Sequence, residues 1–261
     1  MYAFDLERPA TVADVVKALA EEDAQPLGGG QTLIPTLKQR LAMPSKLVSL
    51  GGVDEIKGIC LDDDGRVCIG AATTHAEVAA QEHYPTLAHL AGNIGDPAVR
   101  NRGTIGGSLA NNDPSACYPA AALASNATIV TNSREIAADD YFQGMFETAL
   151  EEGELITEVK IPVPEAAAYM KFEQPASRFA LVGAFVARFS DGVRVAITGA
   201  SNDGVFRWSE AEAALGSDFS SGAVEGLTLD GSGMISDVHG SGAYRAHLAG
   251  VMTRRAVAAA G

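Results

Sequence analysis

The chain has 261 residues, 47% of them hydrophobic, with 28 glycines and a formal net charge of −14 from 19 Lys and Arg against 33 Asp and Glu. Such a length buries a sizeable core and suits two or three subdomains, while the acidic excess argues against a nucleic-acid partner, whose phosphates need clustered Lys and Arg. No apolar run approaches the ~20 residues of a membrane span, and MYAFDLERPA at the N-terminus has neither the basic nor the apolar region of a secretory signal, so the expectation is a cytoplasmic protein.

In chain order, Thr11 and Asp14 make a capping-box-like start, followed by Val12, Val15, Val16 and Leu19 at helical spacing. The extended stretch Ala24 to Leu27 leads through three glycines into a helix-like run with Leu33, Leu37 and Leu41 at four-residue spacing. Pro35 falls in its first turn, where proline is tolerated. With Lys46 to Leu50 extended, the first region reads as a β-α-β-like unit with short parallel strands. Ile56 to Leu61, the turn Asp62-Asp63-Asp64-Gly65 and Arg66 to Ala71 predict a β-hairpin, and Thr74 with Glu77 a second capping box. Ala127 to Thr131 and Leu155 to Val163 suggest further strands of a mixed sheet. A third region has strands near Tyr169 to Phe172, Leu181 to Phe189 and Val193 to Thr198. Its helices fall near Glu210 to Leu215 and Tyr244 to Ala259, the latter with Tyr244, Leu248, Val251 and Met252 on one face. Gly216 to Ser236 is poor in apolar residues and reads as a short helix flanked by mobile loops, or as partly disordered.

Two glycine-rich segments carry the chemistry: GGGQTLIPTLKQRL from Gly28 and NRGTIGGSLANNDPSACYPAA from Asn101. The first-turn amides of a helix have no intrahelical carbonyl partner and, with the positive end of the helix dipole, bind anions such as a pyrophosphate. Gly28, Gly29 and Gly30 allow close backbone approach, and Thr32 adds a hydroxyl donor. One such loop alone equally suits an ordinary strand-to-helix turn. The second segment again sets glycines, Gly103, Gly106 and Gly107, among Thr104, Ser108, Asn111 and Asn112, and two donor-rich loops imply a long, two-ended ligand. Neither segment has the G-x-G-x-x-G dinucleotide fingerprint or P-loop spacing.

Other chemistries find no support. Cys60, Cys68 and Cys117 lack C-x-x-C spacing and supply neither a four-thiolate iron–sulfur site nor a zinc site. His75, His83, His89, His239 and His247 are scattered and read as surface or locally hydrogen-bonded residues. There is no G-x-S-x-G elbow, and Asp62 to Asp64 lacks EF-hand spacing. No residue is assigned as catalytic or as a metal ligand.

GGGQTLIP and TIGGSLANNDP, with LITEVKIPVP from Leu155 and the tail DVHGSGAYRAHLAGVMTRRAV from Asp237, resemble the FAD-binding medium subunit of molybdenum hydroxylases. That group contains carbon monoxide dehydrogenase, xanthine dehydrogenase and related aldehyde and N-heterocycle dehydrogenases, and the resemblance covers nearly the whole chain. It implies an α+β architecture: a PCMH/VAO-type two-subdomain FAD-binding fold, then a small C-terminal α+β domain of antiparallel sheet with helices. The corresponding units are residues 1–54 (α/β), 55–164 (mixed or antiparallel sheet) and 165–261. In the family the 216–236 stretch carries a longer helical segment, so this chain is shortened there.

The resemblance also implies FAD as cofactor and its contacts. Leu27, Gly28, Gly29, Gly30, Gln31, Thr32, Leu33 and Ile34 would wrap the diphosphate, mainly through the backbone amides of Gly28 to Thr32. Thr104, Ile105, Gly106, Gly107 and Ser108 would supply a second wall, and Ile94 would pack near the flavin ring. Ile156 and Lys171 fall where the family contacts the isoalloxazine or adenine end. Family members typically carry an aspartate where this chain has Cys117, a weaker hydrogen-bond acceptor, and Asp113 is the candidate to compensate. Valine at both Gly29 and Gly106 is expected to abolish FAD retention and leave the fold largely soluble.

What the resemblance implies for function is an electron-transfer subunit of a hetero-oligomer, a dimer of heterotrimers. Reducing equivalents reach it from a molybdenum-cofactor large subunit through an iron–sulfur small subunit and leave to an external acceptor. The style of the two segments looks closer to the carbon monoxide dehydrogenase type than to eukaryotic xanthine dehydrogenases. Two rivals differ in kind. A stand-alone flavin oxidoreductase would need its own base or aromatic substrate cage, and an FAD-free nucleotide-binding or scaffold module would purify without yellow colour.

Overall fold

The computed structural model describes residues 1–261 as three larger sheets in sequence and one two-stranded sheet. The first is built from β1 (Asp5–Glu7), α1 (Val12–Leu19), β2 (Ala24–Leu27), α2 (Leu33–Lys38) and β3 (Lys46–Ser49). Its strands run parallel in the order β1-β3-β2, because a helix returns the chain between each two successive strands, α1 from β1 to β2 and α2 from β2 to β3. Thr11 caps α1 by accepting the Asp14 amide, and Val15, Ala18 and Leu19 are buried against Val48 and Leu50.

The run Leu33, Leu37, Leu41 is not one helical stripe. α2 stops at Lys38, and Leu41 is 74% exposed. Arg40 turns into the left-handed region at φ 60°, with the Arg40 amide on the Leu37 carbonyl and the Leu41 amide on the Thr36 carbonyl. These are the paired bonds of a Schellman termination, reached here without glycine.

The second sheet contains β4 (Ile59–Leu61), β5 (Val67–Gly70), β6 (Thr128–Thr131), β7 (Glu135–Ala137) and, after the small pair β8 (Phe142–Gly144) and β9 (Glu147–Thr148), β10 (Ile156–Ile161). Its order is β4-β5-β10-β6-β7 and every pairing is antiparallel, the second of the two arrangements, mixed or antiparallel, expected for this region. Helices α3 (His75–Ala80), α4 (Pro85–Gly92), α5 (Pro97–Arg100), α6 (Ile105–Asn111) and α7 (Tyr118–Ala124) fill the connection from β5 to β6, and α8 (Ala138–Tyr141) follows β7. The Thr74–Glu77 capping box opens α3 with both reciprocal bonds present.

The third sheet, β11 (Ala166–Glu173), β12 (Ala180–Phe189), β13 (Gly192–Ser201) and β14 (Gly204–Arg207), is an antiparallel meander backed by α9 (Ser209–Ser217) and α10 (Gly242–Ala260). β12 reads ALVGAFVARF with little polar interruption because both of its faces are covered. Alternation along the strand sends Phe185 and Ala187 into a 30-residue core shared with the second sheet. Val182, Ala184 and Val186 point the other way, into a 19-residue core with Trp208 and α10.

On α10 the buried stripe is Leu248, Ala249, Met252 and Ala256, whereas Tyr244 is 41% exposed and stands against Phe172. Between Ser217 and Gly242 there is no α-helix. A turn buries Val224, and a short 3-10 helix, Gly231–Gly233, presses against the start of α10. No helix is long and apolar enough to cross a membrane.

Candidate functional site

Local sequence places the first glycine segment at the end of β2, where the chain must turn before α2. Gly30 sits at φ 74° with the side chains of Leu27 and Ile34 flanking it, and its carbonyl accepts the Ile34 amide. The amides of Gly28, Gly29, Gly30, Gln31, Thr32 and Leu33 donate to no group of the chain. Buried or ligand-facing amides are normally paired, so six successive free donors describe a surface made for an acceptor-rich partner such as a diphosphate. α2 has only six residues, and the free amides, not a long helix dipole, carry that property. Thr32 stands at the N-cap without a side-chain cap bond.

The second glycine segment lies directly against the first. A Cβ on Gly29 would fall inside the Arg102 carbonyl group, 2.5 Å from its carbon and 2.6 Å from Gly103 Cα. One on Gly28 would meet Thr104 Oγ1 at 3.2 Å. The two segments therefore meet backbone to backbone, which only glycine at position 29 permits.

Chemically the second segment is unlike the first. Apart from that of Thr104, which donates to no group of the chain, its amides here are committed: Ile105 donates to the Thr73 carbonyl, Gly106 to Ala71, Gly107 to Thr104 Oγ1 and Ser108 to the Thr104 carbonyl. Thr104, bridged to Thr74, caps α6. It forms a rigid wall, with Gly107 exposed and Ser108 half-buried, not a second row of donors. Gly106 is glycine for packing, since a Cβ there would stand 2.6 Å from Ala71 Cβ and 2.7 Å from its carbonyl oxygen.

After α6 the chain turns through Asn112 at φ 42°, whose side-chain amide donates to the carbonyls of Gly144 and Glu147. Asp113 Oδ1 accepts the Ser115 amide, an interaction internal to the loop. Cys117 is 5% exposed, and burial pushes its thiol up from the ordinary value. Lys171 Nζ lies 3.9 Å from Cys117 Sγ and donates to the carbonyls of Asn93 and Arg178 at 2.7 Å. Its ammonium thus brackets the end of α4, the 113–117 loop and the β11–β12 turn. Ile94 is half-buried against the large core, and its carbonyl accepts Arg100 Nη1. Ile156 is 3% exposed on β10, inside the same core and paired with Thr131.

Three groups escaped the sequence reading. His75, expected at the surface or locally hydrogen-bonded, is 6% exposed with Nδ1 lacking a partner, and a Cβ on Gly103 would stand 2.6 Å from its Nε2. The Tyr118 and Tyr169 hydroxyls are likewise buried without partners, Tyr118 with its ring 5.3 Å from that of His75. The only sequence signal was position, His75 opening α3 inside a capping box and Tyr118 adjoining Cys117. Of the three, His75 adjoins the free amides, through Gly103, the residue on which Gly29 is seated, and the open donors there fit an acceptor-rich cofactor.

Burial, with Arg100 nearby, pushes the His75 pKa down to about 4 from 6.5. A depressed folded pKa means the unfolded chain takes up the proton first. The stability this group confers is then complete above the unfolded value and lost as pH falls from 6.5 toward 4. The loss is on the order of 3 kcal/mol. His75→Gln should flatten the decline in melting temperature between those pH values, and parallel melting curves for the two proteins would contradict it.

Comparison with known proteins defines the class. The family model described as the FAD binding domain in molybdopterin dehydrogenase matches residues 2–164. The carbon monoxide dehydrogenase medium chain of Afipia carboxidovorans is 35% identical over 276 residues, covering 98% of this chain and 96% of that one. The nicotine 6-hydroxylase medium subunit of Paenarthrobacter nicotinovorans is 36% identical, covering 97% and 95%. Among solved structures, reconstituted CO dehydrogenase from Oligotropha carboxidovorans superposes with a TM-score of 0.90 at 34% identity, covering 99% of this chain and 98% of that one. Quinoline 2-oxidoreductase from Pseudomonas putida 86 superposes at 0.89 and 31% identity, covering 99% and 97%.

The chain belongs to the family of FAD-binding medium subunits of molybdenum hydroxylases, and its cofactor is FAD. The α+β fold expected from the resemblance is the fold of these relatives.

Proposed function

We propose that this chain is the electron-transfer subunit of a cytoplasmic hydroxylase of the carbon monoxide dehydrogenase type, assembled with an iron–sulfur small subunit and a molybdenum-cofactor large subunit as a dimer of heterotrimers. The observation that carries this reading is the row of six free amides at Gly28–Leu33 seated on the Arg102–Gly103 backbone. FAD, when bound, takes up electron pairs and releases them singly or in pairs, so its protein need only bind, orient and tune it. Electrons then pass from the iron–sulfur subunit to an external acceptor.

In this reading residues 1–54 and 55–164 are the two halves of the FAD-binding unit and 165–261 is a C-terminal domain. Support comes from a sheet in each and from the family model ending at residue 164. The diphosphate would lie along the amides from Gly28 to Leu33, with Leu27, Gln31, Thr32 and Ile34 around it. Thr104, Ile105, Gly106, Gly107 and Ser108 would form the opposing wall by shape. Ile94, Asp113, Cys117 and Lys171 would border the flavin end, with Lys171 acting by bracing the loop, since its donors are engaged. Ile156 would contribute from the core behind them.

The test is the visible spectrum of the protein co-expressed with its chromosomal neighbours, before and after mild denaturation. Releasable FAD with co-purifying iron–sulfur and molybdenum chains is expected. A colourless, solitary protein that refuses added FAD would overturn the assignment, and substrate turnover by the isolated chain would replace it with a stand-alone oxidoreductase.

A further inference from the structure

The C-terminal tail that contributed to the resemblance contains an arginine whose surroundings give it a specific task. Arg245, on α10, is 2% exposed. Its Nη1 donates to the carbonyls of Leu181 (2.7 Å) and Gly199 (2.6 Å), and its Nη2 to both carboxylate oxygens of Asp237 (2.9 and 2.8 Å). Asp237 in turn accepts the amides of His239 and Gly240. A buried guanidinium needs acceptors for its fork; here Nη1 and Nη2 find them, two in main-chain carbonyls on neighbouring strands, and Nε is left without a partner.

Gly199 is no ordinary strand residue. It sits at φ 80°, and a Cβ would stand 2.6 Å from the carbonyl oxygens of both Ala180 and Leu181. The pairing of β13 with β14 is irregular between Ile197 and Ser201. This kink turns the Gly199 amide away from its own sheet and onto the carbonyl of Pro114, at 2.7 Å. Thr198 Oγ1 reaches the carbonyls of Pro114 and Ala116 at 3.0 and 2.7 Å. The loop so held, residues 113–117, connects α6 to α7 and ends at Cys117.

We propose that Arg245 is a positioning residue for the FAD site: by fixing the Gly199 kink from the far side of the third sheet, it sets the main chain of the 113–117 loop. The inference rests on the reading above of that loop as part of the cofactor border. Lysine cannot replace this fork, since one ammonium lacks the planar geometry that holds two carbonyls and a carboxylate together.

The experiment uses Arg245→Lys and, independently, Gly199→Ala, each in the full chain. Hydrogen exchange without added cofactor reports on the relay itself. Amides from Ser115 to Cys117 should exchange about tenfold faster in both variants, while residues 46–49 of the first sheet, a reference for global loosening, keep the wild-type rate. The dissociation constant for FAD should rise by about tenfold in both, with a shifted flavin absorption band, and the double variant should be no worse than either single. Unchanged exchange over 113–117 in both variants would overturn the relay. Faster exchange there with wild-type FAD affinity and spectrum would overturn its role in the cofactor site. A wild-type chain that takes up no FAD would instead sink the flavin reading, with exchange still deciding the relay.

Discussion

Gly29→Val is expected to raise the dissociation constant for FAD about 100-fold or more while the protein stays folded, a loss of about 2.7 kcal/mol in binding. The first carbon of the side chain would already occupy the space of the Arg102 carbonyl. Backbone atoms cannot rotate out of the way as a flexible side chain would, so the two glycine segments must separate. The fold tolerates that separation because no amide from Gly28 to Leu33 bonds within the chain. Flavin fluorescence titration alongside circular dichroism tests it. An affinity within threefold of wild type would mean that the contact between the segments does not shape the cofactor site.

Gly106→Val should act on the other quantity. Gly106 is buried, donates its amide to the Ala71 carbonyl and leaves no room for a Cβ against Ala71. Overpacking of this kind costs about 3 kcal/mol, or roughly 6–12 °C in melting temperature for a chain of this size. In the double valine variant, expected to lose FAD and leave the fold largely soluble, the cost to stability would therefore come through Gly106, which supports the packing of α6 on the end of β5. A melting temperature within 2 °C of wild type, by the same scaling of about 2–4 °C per kcal/mol, would show that α6 can shift outward at little cost.

Much of the architecture follows rules that act over a few residues, and those parts were readable. The Thr11 and Thr74 caps, the hairpin turning at Asp62–Gly65 and the apolar extended runs that form the strands of the third region all depend on neighbours in sequence. Errors arose where a local pattern was extended past a competing local stop, as at Leu41, or where a helix face was oriented without its partner. On α10, position 245 had no apolar signal, yet the arginine is buried and the nearby Tyr244 is half in solvent. Burial followed because Leu181 and Gly199 offer carbonyls there.

The candidate site divides the same way. From composition and order alone came the two glycine segments, their attachment to a strand and to helix starts, and the absence of a metal or nucleophile motif. These are properties of residue type and spacing, and they define which backbone conformations are open. Only the tertiary structure decided which amides stay free. Whether an N–H is available depends on a carbonyl that arrives from elsewhere in the chain: Ala71 for Gly106, Thr73 for Ile105, none for Gly28 to Leu33. It likewise decided that Lys171 braces and His75 is enclosed, because hydrogen-bond partnership and desolvation are set by segments far apart in sequence that meet only when the sheets pack.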